Sequence, residues 1–418
     1  ASTDGSEYQT PGWADEIIDG EGCVTQYWLS QGSNGWRLDV ANEVSDETWQ
    51  KFRASVKSLD SDAVIIGEIW DDASEYLLGD MYDSVMNYVF RDAVLAYAKG
   101  GSAQDAVNKL EKLRERYPEE AFYAMMNLVG SHDTTRLLSY LDGIDDDRAQ
   151  TDTESAFPTY ETTSDLAKER QYLVAFIQMT YPGAPTIYYG DELGMVGADD
   201  PDDRRAMEWG KGNQELTEWY ATMAEIRSSY SALRTGDMEP VDTDGDTVMA
   251  YVRSDEEATL YVAANNDTEN VQQVTFAAEA GKTYTDLVSG ETYTADADGA
   301  LTADVPALSG LILTDEVKDI EIDSEALAPA YDESYIVTDK NTDEPGTDEP
   351  GTDEPGTDVP GTDEPGTDEP GTDEPGTDVP GTDEPGTDKP ASDNPTADNP
   401  AAGNGGAQSG QNGSSDTG

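Results

Sequence analysis

Apolar residues fall in two different rhythms along this chain, and the rhythm changes near residue 236. Up to about residue 235, short continuous apolar runs alternate with stretches whose apolar positions repeat every three or four residues. Val64–Gly67 (VIIG) is a continuous run of the kind that forms a parallel strand covered on both faces, and Ala124–Gly130 (AMMNLVG) and Ala184–Gly190 (APTIYYG) read the same way. Between them the spacing predicts helices. One places Trp49, Phe52, Val56 and Leu59 on one face, with Ser45 as its cap and Asp46 and Glu47 in its first turn. A second opens at Ser102 and turns Val107, Leu110 and Leu113 inward, and a third carries Trp219, Met223, Ile226, Tyr230 and Leu233. Strands alternating with helices imply βαβ units and a parallel sheet. From 236 to 315 the period shortens to two in TVMAYVRS, TLYVAANN and QQVTFAA, with polar turns such as Ser254–Ala258, which predicts a small antiparallel β domain.

After Tyr335 the apolar content collapses. Residues 316–341 read as a linker, and Thr342–Gly386 is nine consecutive five-residue units, seven TDEPG and two TDVPG, carrying 16 acids and no base. Proline in every unit blocks helix and sheet, and nothing is available to bury, so 342–418 reads as a disordered acidic, Pro-rich tail ending in an Asn/Ser/Gly-rich stretch. Self-repulsion and proline would keep the repeat extended, as an inert spacer or as a stalk at a cell surface. The charge balance, 89 acidic against 24 basic residues, gives a formal net charge of −65. Such a chain repels phosphate backbones and anionic bilayers, so nucleic acid and membrane surfaces are excluded as partners, whereas a neutral sugar is not. One cysteine, Cys23, rules out an intrachain disulfide, and no apolar run reaches membrane-spanning length.

Three polar positions end predicted strands, and all can do chemistry. In GWRLDVANEV, Arg37 and Asp39 are two apart and so share one face of a strand, with Leu38 and Val40 on the other. A guanidinium beside Asp39 favours the ionised carboxylate a nucleophile needs, although an ordinary structural Arg–Asp pair has the same appearance. Glu68 ends VIIGEIW, where apolar neighbours would hold its proton as a general acid requires, and Gly67 before it permits close backbone approach. His132, the one histidine of the chain, directly precedes Asp133 in NLVGSHDTTR. Paired carboxyl groups flanking a scissile bond are the requirement of glycoside hydrolysis.

Taken together and in this order, Arg37–Asp39, Glu68 and His132–Asp133 resemble the second, third and fourth sequence blocks of the α-amylase superfamily, glycoside hydrolase family 13. GWRLDVANEV, GEIW, VMNY at Val85–Tyr88, APTIYYGDELGM and DPDDRR at Asp200–Arg205 are similar to its neopullulanase, cyclomaltodextrinase and maltogenic-amylase branch, over about residues 10–315. The resemblance implies a (β/α)8 barrel of which residues 1–235 supply about strands 4–8, an all-β sandwich domain at 236–315, and a retaining hydrolase of α-glucans such as starch, maltodextrin, pullulan or cyclodextrin. It implies Asp39 as nucleophile, Glu68 as acid and base, and Asp133 as stabiliser of the transition state. It further implies that Arg37 and His132 hold the reacting glucose, that Trp70, Asn42 and Glu43 line the acceptor side, and that Asp200 and Arg204 bind sugar on the non-reducing side. Of the seven tryptophans only Trp70 is assigned to ligand; Trp49 and Trp219 lie on helical apolar faces and read as core.

Two departures accompany the resemblance. Asp71 follows Trp70 where that branch often carries histidine, and the family's first block, an Asp followed closely by Asn-His, is missing. The chain therefore reads as an N-terminally shortened piece, inactive alone, of a secreted or surface-attached bacterial enzyme. No cofactor is evident; calcium, and a homodimer, would come through the missing N-terminal part. A non-catalytic glucan-binding relative is the alternative, but such relatives lose a carboxylate and all three stand here.

Overall fold

The structure, a computed structural model, describes residues 11–144 and 164–327. Five short strands come first: β1 (Gly35–Leu38), β2 (Val64–Gly67), β3 (Ser84–Val85), β4 (Met126–Leu128) and β5 (Ala184–Thr186). All pair in parallel. β1 aligns Gly35 with Val64 and Leu38 with Gly67, and β2 aligns Gly67 with Val85. A single bridge, Met86 to Met126, carries the sheet on to β4, which aligns Met126 with Ala184 of β5. Spatial order thus follows chain order, as in the wall of a barrel, and every strand points its C-terminal end to the same rim.

Helices run between the strands as the spacing predicts, with instructive differences. Asp46–Leu59 buries Trp49, Phe52 and Val56. Ser45 sits at its cap position, but its hydroxyl lies 2.9 Å from the Thr48 hydroxyl rather than accepting a backbone N–H. Ala103–Arg116 opens as expected, the Ser102 hydroxyl accepting from the Asp105 N–H at 3.1 Å. The third helix is in fact two, Gln214–Ser229 and Ser231–Thr235, separated by Tyr230 in an extended conformation. The apolar rhythm runs straight through this break. The cause is tertiary: the Tyr230 hydroxyl donates to Glu316 O and accepts from Lys318 N, tying the start of the expected linker to the fold. Of the apolar run Ala124–Gly130 only three residues form strand; its first residue ends the helix Glu119–Tyr123.

Eight antiparallel strands follow: β6 (Asp237–Val241), β7 (Val248–Ser254), β8 (Thr259–Asn265), β9 (Gln272–Ala277), β10 (Thr283–Asp286), β11 (Thr292–Thr294), β12 (Ala300–Val305) and β13 (Ser309–Thr314). They form one sheet in the order β11-β10-β13-β8-β7-β6 and a two-stranded sheet of β12 and β9. On β12, Leu301, Ala303 and Val305 are buried and Thr302 and Asp304 exposed, the alternation of a sheet wet on one side. β8 and β13 are buried on both faces instead, because the larger sheet also packs on the helix Asp165–Thr180, whose residues from Leu173 to Thr180 are all buried.

Buried polar groups lock these layers. Arg253 donates to Thr180 O at 2.8 Å and Gly236 O at 3.1 Å, and the Tyr251 hydroxyl meets the Thr180 hydroxyl at 2.6 Å. The Tyr97 hydroxyl lies 2.6 Å from Ala264 O and 2.7 Å from Thr247 O. No helix among the described residues is long and apolar enough to cross a membrane. The repeat tail, the end of the expected linker and the first ten residues lie outside the described residues.

Tyr97→Phe removes a buried hydroxyl that joins Ala264 O and Thr247 O to the helix layer and should cost about 1–3 kcal/mol in chemical denaturation. Tyr293→Phe, which loses only a partner on the exposed Glu291 side chain, should cost less than about 0.5 kcal/mol. Equal losses would show that the Tyr97 hydroxyl does not join the layers.

Candidate active site

The rim at the C-terminal ends of the strands gathers the polar residues singled out above. β1 ends at Leu38, so Asp39 is the first residue beyond the strand. Val40 then takes a left-handed conformation, φ 44° and ψ 49°, which β-branched residues rarely adopt. Val40 is therefore not on the outward face of a strand, as its spacing predicts, but at a corner. Glu68 holds that corner. The Val40 N–H donates to Glu68 Oε2 at 2.9 Å, the Ala41 N–H donates to Glu68 O at 3.1 Å, and the Glu68 N–H donates to Leu38 O at 2.9 Å. Strain of this type persists only where surrounding contacts over-determine it. Gly67 is tight as expected: a Cβ there would sit 3.2 Å from the Tyr82 ring.

Arg37 reaches both carboxylates from beneath. Its Nη1 lies 2.5 Å from Asp39 Oδ1, its Nη2 lies 3.1 Å from Glu68 Oε2, and its Nε points to Met86 Sδ at 3.4 Å. The Nη2 contact is one of charge, lacking hydrogen-bond alignment. Asp39 is open, its side chain 74% exposed, whereas that of Glu68 is 6% exposed. Glu68 is buried as expected, but polar donors face it as well: the guanidinium, the Val40 N–H and the Trp70 indole N–H, 3.3 Å from Oε1. Trp70 stacks flat on Tyr88, centroids 3.9 Å apart and planes within 6°. Half of Trp70 remains exposed.

The Tyr88 hydroxyl lies 3.2 Å from Ser131 Oγ, which accepts from the Asp133 N–H at 3.2 Å. Burial pushes the Tyr88 phenol up to about 12, so it stays protonated near neutrality. Asp133 is engaged on both oxygens: His132 Nε2 lies 3.1 Å from Oδ2, and Arg204 Nη2 donates to Oδ1 at 2.9 Å. Arg204 also meets Asp200 at 2.8 Å. The structure thus brings Arg37, Asp39, Glu68 and Trp70 into one group and His132, Asp133, Asp200 and Arg204 into another, joined through Tyr88 and Ser131. Asn42 and Glu43 are the exposed residues of the short helix Ala41–Glu43 beyond the corner, whose first residue is buried against Glu68.

Beneath the second group lie charges that spacing does not single out. Arg136 and Asp191 are both buried, with Arg136 Nη1 3.7 Å from Asp191 Oδ1. Both Asp191 oxygens lack a hydrogen bond, and desolvation pushes its carboxyl up to about 7 against the opposing pull of Arg136. Asp203 behaves alike: buried, without a hydrogen bond on its carboxylate, and pushed to about 7 by desolvation. No group of three or more His, Cys, Asp or Glu side chains among the described residues is arranged to hold a metal.

The α-amylase catalytic domain profile matches residues 7–275, and the α-amylase C-terminal all-β domain profile matches residues 240–316. The chain belongs to the α-amylase family. Similar proteins include an amylopullulanase of Thermoanaerobacter thermohydrosulfuricus, 36% identical over 74% of this chain and 22% of that protein. Neopullulanase 2 of Thermoactinomyces vulgaris is 40% identical over 64% of this chain and 43% of its own length. Among solved structures, a cyclomaltodextrinase is 34% identical with a TM-score of 0.59, over 69% of this chain and 47% of that one. The chain spans less than half the length of these relatives, and its parallel strands carry a barrel-type family fold.

Because the folded protein holds the Asp191 proton to higher pH than the unfolded chain does, ionising Asp191 works against folding. That contribution to stability falls as pH rises from about 4 to about 7 and is level on either side. Asp191→Asn removes the titration. Its stability relative to the parent should therefore rise by a few kcal/mol between pH 4.5 and pH 8, read from urea midpoints. A difference independent of pH would show that Asp191 does not titrate in this window.

Proposed function

We propose that this chain carries the acidic core of a retaining α-glucan hydrolase active site. The observation that supports this most directly is that one guanidinium, Arg37, engages both Asp39 and Glu68 at adjacent strand ends. In this reading Asp39, exposed and ion-paired, attacks the anomeric carbon. Glu68 protonates the departing oxygen, which takes the bonding electrons, and then accepts a proton from the water that releases the glycosyl group. Two inversions leave the anomeric configuration unchanged. Asp133 steadies the sugar hydroxyls as the ring gains positive charge, with His132 beside it. Trp70 offers an exposed indole face to the acceptor sugar, and Asp200 and Arg204 lie where the non-reducing side of the chain would run. Asn42 and Glu43, exposed past the corner, would meet only the outer acceptor sugars.

The names of the relatives point to the substrate class: an amylopullulanase, a neopullulanase and cyclomaltodextrinases all indicate α-glucans. The acidic, proline-rich composition of the repeat supports a secreted or surface-attached setting, since sequences of that composition commonly serve as spacers.

The test is hydrolysis of maltodextrin, pullulan and cyclodextrin by the whole protein. Asp39→Asn should lower kcat by more than about 1,000-fold and Glu68→Gln by about 100- to 10,000-fold, with both variants folded. Nuclear magnetic resonance of the first product should show the α-anomer. Release of the β-anomer, or an undiminished rate in Asp39→Asn, would rule the mechanism out.

A further inference from the structure

We propose that Arg136 is the positioning residue that holds Arg204 against Asp133. This rests on the hydrolase reading above only in that Asp133 and Arg204 belong to that site.

Arg136 lies three residues past Asp133 and is fully buried. Its own N–H donates to Gly197 O at 3.2 Å, so the loop after β4 is fastened to the loop after β5. Its guanidinium donates from Nη1 to Tyr189 O at 2.7 Å and stands 4.7 Å from the centroids of both the Tyr188 and the Tyr189 rings. Those two rings end in hydroxyls that donate to main-chain carbonyls. Tyr188 reaches Asp203 O at 3.3 Å and Tyr189 reaches Arg205 O at 2.8 Å. Asp203 and Arg205 flank Arg204. The circuit then closes, because Arg204 Nη2 lies 2.9 Å from Asp133 Oδ1.

The chemistry of the buried charge explains why arginine stands here. Nε and Nη2 of Arg136 make no hydrogen bond, so the Nη1 bond to Tyr189 O is the one donor contact of the guanidinium. Two aromatic rings and the Asp191 carboxylate 3.7 Å away complete its placement. The guanidinium carbon stands over both rings, which are inclined at 62° to one another, and the broad delocalised cation reaches both while still donating to Tyr189 O; an ammonium is a more compact point charge. The fit on the far side is equally close: a Cβ on Gly130 would sit 2.6 Å from Asp191 Oδ2. An error of one ångström in the aromatic pair passes directly to the main chain on either side of Arg204, and displacements of that size at a reacting centre are costly.

The experiment is a double-mutant cycle in the whole protein with Arg136→Lys and Arg204→Ala. On a maltooligosaccharide, Arg136→Lys should lower kcat/KM about tenfold in the parent and less than about twofold in the Arg204→Ala background. Thermal melts of the same four proteins should show Tm shifts that are likewise less than additive. A purely packing role would lower Tm yet leave the kcat/KM effects multiplicative, and that result overturns the proposal, as does additivity of the melts. If even the parent neither hydrolyses nor binds maltooligosaccharides, the hydrolase reading fails, and the melts alone still decide the positioning role. Should Arg136→Lys not fold, Tyr189→Phe takes its place. It removes only the hydroxyl on Arg205 O from a partly exposed ring, and the same non-additivity with Arg204→Ala is expected.

Discussion

The corner after β1 exists because Glu68 accepts the Val40 N–H. A valine in a left-handed conformation costs on the order of 1–3 kcal/mol, and the Glu68 carboxyl beyond the neighbouring strand offsets part of it by accepting the Val40 N–H. The consequence reaches well past one turn. The corner lifts Asp39 off the end of the strand into solvent while Arg37, still on the strand, stays below it. Glu68 is then fixed through its side chain by Val40 and Arg37 and through its main chain by Leu38 and Ala41. Parallel pairing of β1 with β2 in the observed register is what lets these residues meet; a one-residue slip would send Glu68 to the opposite face.

The second half of the rim is built by a different principle. Asp133 and Asp200 share Arg204 at the surface, with His132 beside Asp133, but the scaffold beneath them is a buried charge layer of Arg136 and Asp191 with several unsatisfied atoms. Replacing such a pair with apolar residues often raises stability, so its presence is a weak argument for stability and a better one for geometry. The half-rim is joined to the first by Tyr88, whose ring stacks on Trp70 and whose hydroxyl reaches Ser131. One aromatic residue thus links the neighbourhood of Glu68 to that of Asp133.

How much of this was legible in the sequence depends on where each interaction originates. The three carboxylates were visible because each is a polar residue ending an apolar run, and burial of a parallel strand writes that pattern directly. The β domain was visible because alternation is local. Val40 was hidden because local propensity argues against its conformation, and its cause lies 28 residues on. The break at Tyr230 was hidden for the same reason: the apolar period continues across it, and the bonds that interrupt the helix come from Glu316 and Lys318. Tyr88 stood within a segment whose likeness to a family was noted, yet its role depends on a stacking partner 18 residues away in sequence that no periodicity encodes. Arg136 and Asp191 are singled out by no spacing in the sequence. Only the folding of two rim loops over one another buries them.

The charge of the chain takes its meaning from this arrangement. A formal net charge of −65 would work against three carboxylates sharing one rim, yet Arg37, Arg204 and His132 are each placed within 3.1 Å of one of them. Pairing at that range is set by local geometry and is screened less by salt than interactions between charges farther apart than a Debye length. A neutral glucan, the substrate class proposed above, would feel the net field hardly at all, so an acidic surface that repels polyanions would leave its approach unhindered. Selectivity of this kind needs no dedicated residue. It follows from putting the few cations of the chain where carboxylates must sit close together, and leaving the rest of the surface acidic.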